Sequence, residues 1–180
     1  MNIFYLHHDV TECAKMHNDK HVVKMILEYA QLLSTAHRVL DGHERSALSA
    51  SGRKKKVWHL DDDRNDILYS ATHINHPSAV WVRQSDLNYD WLFSMFQALM
   101  TEYTHRYNKT HACSRLEPYL ARVPKNIPQK GFTQPTPAMP DEVKVPGDSI
   151  KSYRNYYINN KPHLASWKNR NKPEWYNANI

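Results

Sequence analysis

The chain has 180 residues, a length that suits one hydrophobic core, so a single domain over 1–180 is expected. Its 41% hydrophobic content and twenty aromatic residues (5 Trp, 11 Tyr, 4 Phe) exclude a disordered chain, and four glycines leave no room for a Gly-rich phosphate loop. A formal net charge of +6, with twelve histidines besides, suits a polyanionic partner, and nucleic acid is the expected one.

The chain starts with only a short apolar run, Ile3–Leu6, read as a brief strand or an ordered lead-in. No stretch approaches membrane-spanning length. Cys13 and Cys113 lie far apart and form no CxxC pair, so neither a disulfide framework nor a cysteine zinc site is indicated, and a cytoplasmic setting is expected.

Asp9 and Glu12 have capping-box spacing and predict a helix from about Val10. A break at Asn18-Asp19 lets Asp19 cap the main helix, His21 to Leu40, which stops at Asp41-Gly42. Residues 43–63 show no apolar period, and Arg53-Lys54-Lys55-Lys56 is followed by Asp61-Asp62-Asp63, which predicts an exposed loop of opposite charge blocks. Asp63 can cap a short helix through Leu68, and His76-Pro77 fits another start, since proline is tolerated in a first turn.

From Ser85, Leu87, Trp91, Leu92, Met95, Phe96, Leu99, Met100 and Tyr103 recur at three and four and mark one face of a long helix. Seven prolines between 118 and 146 predict an irregular arm over 117–147 that wraps the body. A last helix from Ser149 to about Asn159 precedes an aromatic and basic tail. The fold class read from this pattern is mainly α, a compact helical protein with a long Pro-rich arm.

Chemistry concentrates on the main helix. Between His21 and Leu33 it is apolar in nearly every direction and should be largely buried, so its polar residues need a reason. At about 100° per residue, His17, His21, Lys24, Glu28, Gln31 and Thr35 fall on one line. Glu28 and Lys24, one turn apart, suit acid, base or amine-nucleophile chemistry; the plainer reading is an ordinary i,i+4 ion pair with the histidines satisfying core hydrogen bonds. His17 and His21 also have HxxxH spacing, and with His7 and His8 they form an alternative metal-ligand set for a hydrolase of nucleotides or nucleic acid. The glutamate of the metalloprotease motif is missing. An HD-type phosphohydrolase would need a histidine upstream of His8-Asp9, which lies too near the start to have one.

The run His21-Val22-Val23-Lys24-Met25-Ile26-Leu27-Glu28 resembles the early helix of the pyrimidine-dimer DNA glycosylases, the phage endonuclease V type. In those proteins a histidine precedes the catalytic glutamate by two turns. Asn75-His76-Pro77, Trp81 and the helix to Glu102, Arg106 and Tyr107 are similar to a segment of cellular relatives. Pro173-Glu174-Trp175-Tyr176 resembles the DNA-contacting end of the family.

The resemblance implies a compact, helical, metal-independent DNA-repair glycosylase and lyase that needs no cofactor. Glu28 takes the glutamate's place, and an amine attacks C1′ of the damaged pyrimidine nucleotide to form a Schiff base. An α-amine, with a pKa near about 8, is partly unprotonated at neutral pH and suits that step. Asn2 is too bulky for the usual removal of Met1, so the nucleophile is Met1's own amine or Lys24, with His21 orienting or sharing protons. Arg53, Lys54, Lys55, Lys56, His76, Arg83, Trp175 and Tyr176 are the candidate DNA contacts. A metal-dependent hydrolase and a non-catalytic binder of nucleic acid or a host protein stay open beside this reading.

Overall fold

The computed structural model describes residues 1–177. It is 53% helical, with eight α-helices among the described residues and one two-stranded sheet, a mainly α architecture as the sequence predicts. The order is α1 (Val10–Met16), α2 (Asp19–Asp41), β1 (His43–Leu48), β2 (Lys54–His59), α3 (Arg64–Ile67), α4 (Pro77–Arg83), α5 (Asp86–Tyr107), α6 (Glu117–Leu120), α7 (Ser149–Asn160) and α8 (Glu174–Asn177). No helix among the described residues is long and apolar enough to cross a membrane.

Asp9 caps α1 by accepting from the Glu12 amide, but the Glu12 carboxylate turns to Lys15 at 2.7 Å instead of reaching back, so only half of the capping box forms. The cap of α2 is Asn18, one residue before the expected Asp19. The Asn18 side chain accepts from the His21 amide, while Asp19 is taken by Arg106 at 2.9 Å, Ser166 Oγ at 2.6 Å and the Lys168 amide at 2.8 Å. At the other end α2 stops at Gly42 in an extended conformation. A Cβ there would meet Arg38 O at 2.5 Å and His59 O at 2.9 Å, so glycine is required by close approach rather than by a left-handed φ.

The core forms where α2, with Met25, Ile26, Tyr29, Leu32 and Leu33, meets α5 through Leu92, Met95, Phe96 and Leu99. Leu87, counted on the apolar face of α5 from its spacing, lies exposed in the first turn, and the buried face continues instead through Asn88, Tyr89, Glu102 and Arg106. The buried Arg106 bonds both Glu102, at 2.7 Å, and Asp19. Ile3–Leu6 are buried without joining a sheet, and the chain bends at Leu6, whose amide donates to Phe4 O at 3.1 Å.

Residues 43–63 are not the loop expected from their lack of apolar period. β1 and β2 pair antiparallel, His43 with His59 through Leu48 with Lys54, and most of their residues are exposed. A ribbon solvated on both faces has no inside and outside to alternate, so its strands carry no period-2 signal. The Pro-rich arm wraps as predicted, and its backbone is taken up by side chains. Ser85 Oγ donates to Lys130 O, Trp81 Nε1 to Thr133 O and Ser149 Oγ to Pro135 O, where prolines leave carbonyls with no ladder partner.

Candidate active site

The site is built where the first six residues run along α2. Phe4 N donates to Tyr29 Oη at 3.1 Å, the Leu6 amide to Cys13 Sγ at 3.4 Å, and Arg154 Nε to Leu6 O at 3.0 Å, so the segment is pinned from α2, α1 and α7. Phe4 stacks on the His21 ring with centroids 4.1 Å apart. Three extended residues back from Phe4 span about 10 Å, and seven helical residues on from His21 rise about 10 Å. The two courses match, and the Met1 amine arrives 3.9 Å from Glu28 Oε2.

The other carboxylate oxygen, Oε1, holds Lys24 Nζ at 3.1 Å. Glu28 therefore faces two amines of different character. The Met1 side chain is 7% exposed and the carboxylate side chain 14%, whereas Lys24 is 60% exposed. The buried setting expected for this stripe is only partly found, because Val23 and Leu27 lie open beside Lys24 and leave a solvent-facing strip leading to the carboxylate. The line breaks into three parts: His17 and His21 buried, Lys24 and Glu28 at the surface opening, Gln31 partly covered and Thr35 buried.

His21 does not reach for Glu28. Its Nδ1 pairs with Tyr157 Oη at 2.7 Å, and burial, followed by the charges around it, lowers its pKa to about 3. His17 Nδ1 bonds Cys13 O at 2.8 Å, and burial lowers its pKa to about 4. Both rings are neutral scaffolding for the segment that carries the amine. Tyr157, on α7, has no local signal that could tie it to this site from sequence.

His76 caps α4, its Nδ1 accepting from the Ser78 amide at 3.1 Å, so the neutral ring carries its proton on Nε2. Burial lowers its pKa, the Met1 amine and His73 lower it further, and Glu28 opposes them; the ring thus stands within electrostatic reach of the amine and carboxylate. His73 is held at φ 47° beside Thr72 Oγ1, 2.7 Å from its Nδ1, and the sequence reading passed over it.

Other expected residues lie elsewhere. Arg83 folds back on its own helix to Ala79 O at 3.0 Å. Arg53, Lys54, Lys55 and Lys56 lead into and occupy β2, beyond the far end of α2. The tail anchors the body: Tyr176 is buried against Trp167, and Trp175 donates from Nε1 to Met16 Sδ at 3.3 Å under the Arg154 guanidinium. Their apolar area is largely spent on packing against the body. The alternative metal set does not assemble: His7 stacks on His8 while His17 and His21 bond inward. No group of three or more His, Cys, Asp or Glu among the described residues is arranged to hold a metal ion.

A carboxylate beside an α-amine is an arrangement able to form and protonate an imine. In comparisons with known proteins, no curated protein and no solved structure matches the chain. The family model of pyrimidine dimer DNA glycosylases matches residues 1–115, a span that holds Met1, Lys24, Glu28 and His76. With most of its length matched, the chain belongs to the pyrimidine dimer DNA glycosylase family, whose substrate is DNA.

Proposed function

We propose that the protein is a glycosylase with lyase activity on DNA containing pyrimidine dimers, and that the Met1 α-amine is its nucleophile. The nitrogen lone pair attacks C1′ of the damaged nucleotide, and the N-glycosidic bond breaks with its electron pair going to the base, which takes up a proton. Loss of the amine proton and opening of the sugar give the imine. Removal of a C2′ proton then expels the 3′ phosphate, and water releases the amine.

Glu28 stabilises positive charge at C1′ through one oxygen and exchanges protons with the amine and C2′. Lys24 holds the other oxygen and offers its charge to a neighbouring phosphate. His76, whose Nε2 carries the proton in the neutral ring, stands within electrostatic reach of this pair and serves as a proton donor.

The observation that carries the proposal is the approach of Met1 N to Glu28 Oε2, 3.9 Å, with the Met1 side chain shielded and Lys24 open to water. Loss of Met1 would draw the amine back by about 3.5 Å, so intact mass should show Met1 retained. Borohydride reduction with labelled dimer duplex, in chelator, is expected to give a covalent adduct that digestion maps to the Met1 nitrogen. A chain with a two-residue N-terminal extension should lose it. An adduct on Lys24 would overturn the choice of amine, and no adduct with either dimer or abasic DNA would sink the imine mechanism.

A further inference from the structure

The ribbon β1–β2 carries charge that the fold does not use. Arg45, Arg53, Lys54, Lys55 and Lys56 stand against one acid within the ribbon, Glu44, which pairs with Lys56 at 2.9 Å. Across the ladder Lys54, Lys55 and Lys56 face Leu48, Ala47 and Ser46, none of them acidic. The three aspartates that follow in sequence would be natural partners, yet two are spent at the base. Asp61 bonds His43 at 2.8 Å and Asp62 bonds Arg64 at 2.7 Å. Among the described residues, Arg45, Arg53, Lys54 and Lys55 make no ion pair.

Lys54, Lys55 and Lys56 have no opposite charge directly across the ladder to stabilise the pairing, and a two-stranded ribbon is marginal alone. Here its base is clamped. Arg38 donates to Trp58 O at 2.9 Å, and Gly42 lets the chain pass close beneath His59. The far end presents Leu48, 68% exposed, to water. A clamped base, a cationic strand and an apolar residue near the turn describe a projecting arm rather than a packing element.

We propose that this ribbon binds the duplex flanking the lesion, laying its cationic strand along the phosphates with Leu48 directed at the groove. The proposal rests on the glycosylase reading for its partner. The ribbon's base lies about 20 Å along α2 from Glu28, by helical rise, and six strand residues add about 20 Å of reach. The major groove admits a two-stranded ribbon, which single strands do not offer. Contact therefore falls about six base pairs or more from the flipped nucleotide, at 3.4 Å per base pair.

The test compares wild type with the triple variant Arg53→Ala, Lys54→Ala, Lys55→Ala, and separately Leu48→Ala, all at exposed positions. Binding is measured across a salt series. The probes are a 30-base-pair dimer duplex, a hairpin-closed dimer duplex of about eight base pairs and the matching long single strand. On the long duplex the triple variant should lose at least tenfold in affinity, and its salt slope should fall by about two to three, near 0.9 per lost phosphate contact. Leu48→Ala should lose a few-fold there. On the short duplex the triple variant should stay within twofold of wild type.

An unchanged long-duplex slope, or equal losses on all three probes, would overturn the ribbon's role. Wild type that shows the long-duplex preference but gives no borohydride adduct would sink the glycosylase–lyase reading and leave the ribbon standing.

Discussion

The two halves of α2 use the same residue types to opposite ends. Each buries a histidine against a tyrosine, His21 on Tyr157 at 2.7 Å and His37 on Tyr89 at 2.8 Å, and each carries a carboxylate on the C-terminal side of that histidine, Glu28 at mid-helix and Asp41 at the helix end. Asp41 is saturated. It accepts from Arg64 at 2.6 Å, the Lys125 amide at 2.9 Å, the Asn126 amide at 3.0 Å and the Asn126 side chain at 3.2 Å. Burial raises its pKa, but those bonds prevail and hold it below the usual carboxylate range.

Glu28 instead meets two separate amines, one of them 3.9 Å away, beside an open apolar strip. A carboxylate that fixes a fold is enclosed by donors, and one that is to react keeps an approach for substrate.

The largest expected difference between the halves is catalytic. Glu28→Gln should lower turnover of dimer DNA by about a hundredfold or more, the range of a lost acid–base group, with DNA affinity held within threefold. Asp41→Asn should lower the urea midpoint and leave adduct formation at saturating enzyme intact. Equal turnover losses from both would erase the distinction, and unchanged turnover in Glu28→Gln would remove that carboxylate from the mechanism.

Next in size is a stability effect confined to the second half. The Arg38 guanidinium donates to the carbonyls of Trp58, Asn65, Leu68 and Tyr69 and to Asn65 Oδ1. Arg38→Met leaves those acceptors unpaired and should cost about 3 kcal/mol or more in urea unfolding. A loss below about 1 kcal/mol would mean that water takes the guanidinium's place.

The smallest effect is shared by both halves, together with His17 at the end of α1, and sharpens what they have in common. Burial lowers the pKa of His17 and His37 to about 4 and of His21 to about 3. The unfolded chain, with histidines near 6.5, binds more protons than the folded one between these values, so this stabilisation is complete above about pH 6.5 and is lost as pH falls toward 4. The urea midpoint should therefore drop steadily from pH 7 to pH 5. A flat profile would show that the three rings protonate in place.

Much of this was legible in local patterns. The helix starts at Asp9, His76-Pro77 and Ser85, the long apolar face of α5 and the wrapping arm follow from caps, period and proline, because those signals act within a few residues. The spacing of Lys24 and Glu28 likewise put both on one side of a helix. The ribbon was missed because exposed strands leave no hydrophobic pattern. For the tail, DNA contact and packing anchor were equally compatible with the sequence, because a Trp-Tyr pair looks the same whether it stacks on a base or packs on Met16.

By itself the sequence determined the helical class and the line that places Glu28 beside Lys24. Those are matters of period and spacing. Only the tertiary structure decided that His21 serves Phe4 and Tyr157 rather than Glu28, that Asp61 and Asp62 leave the ribbon's cations unpaired, and that the Met1 amine lies at the carboxylate. The first and the last depend on partners distant in sequence, brought into contact by burial of the first six residues against α1, α2 and α7, whereas the aspartates are engaged where the fold closes the base of the ribbon at His43 and Arg64.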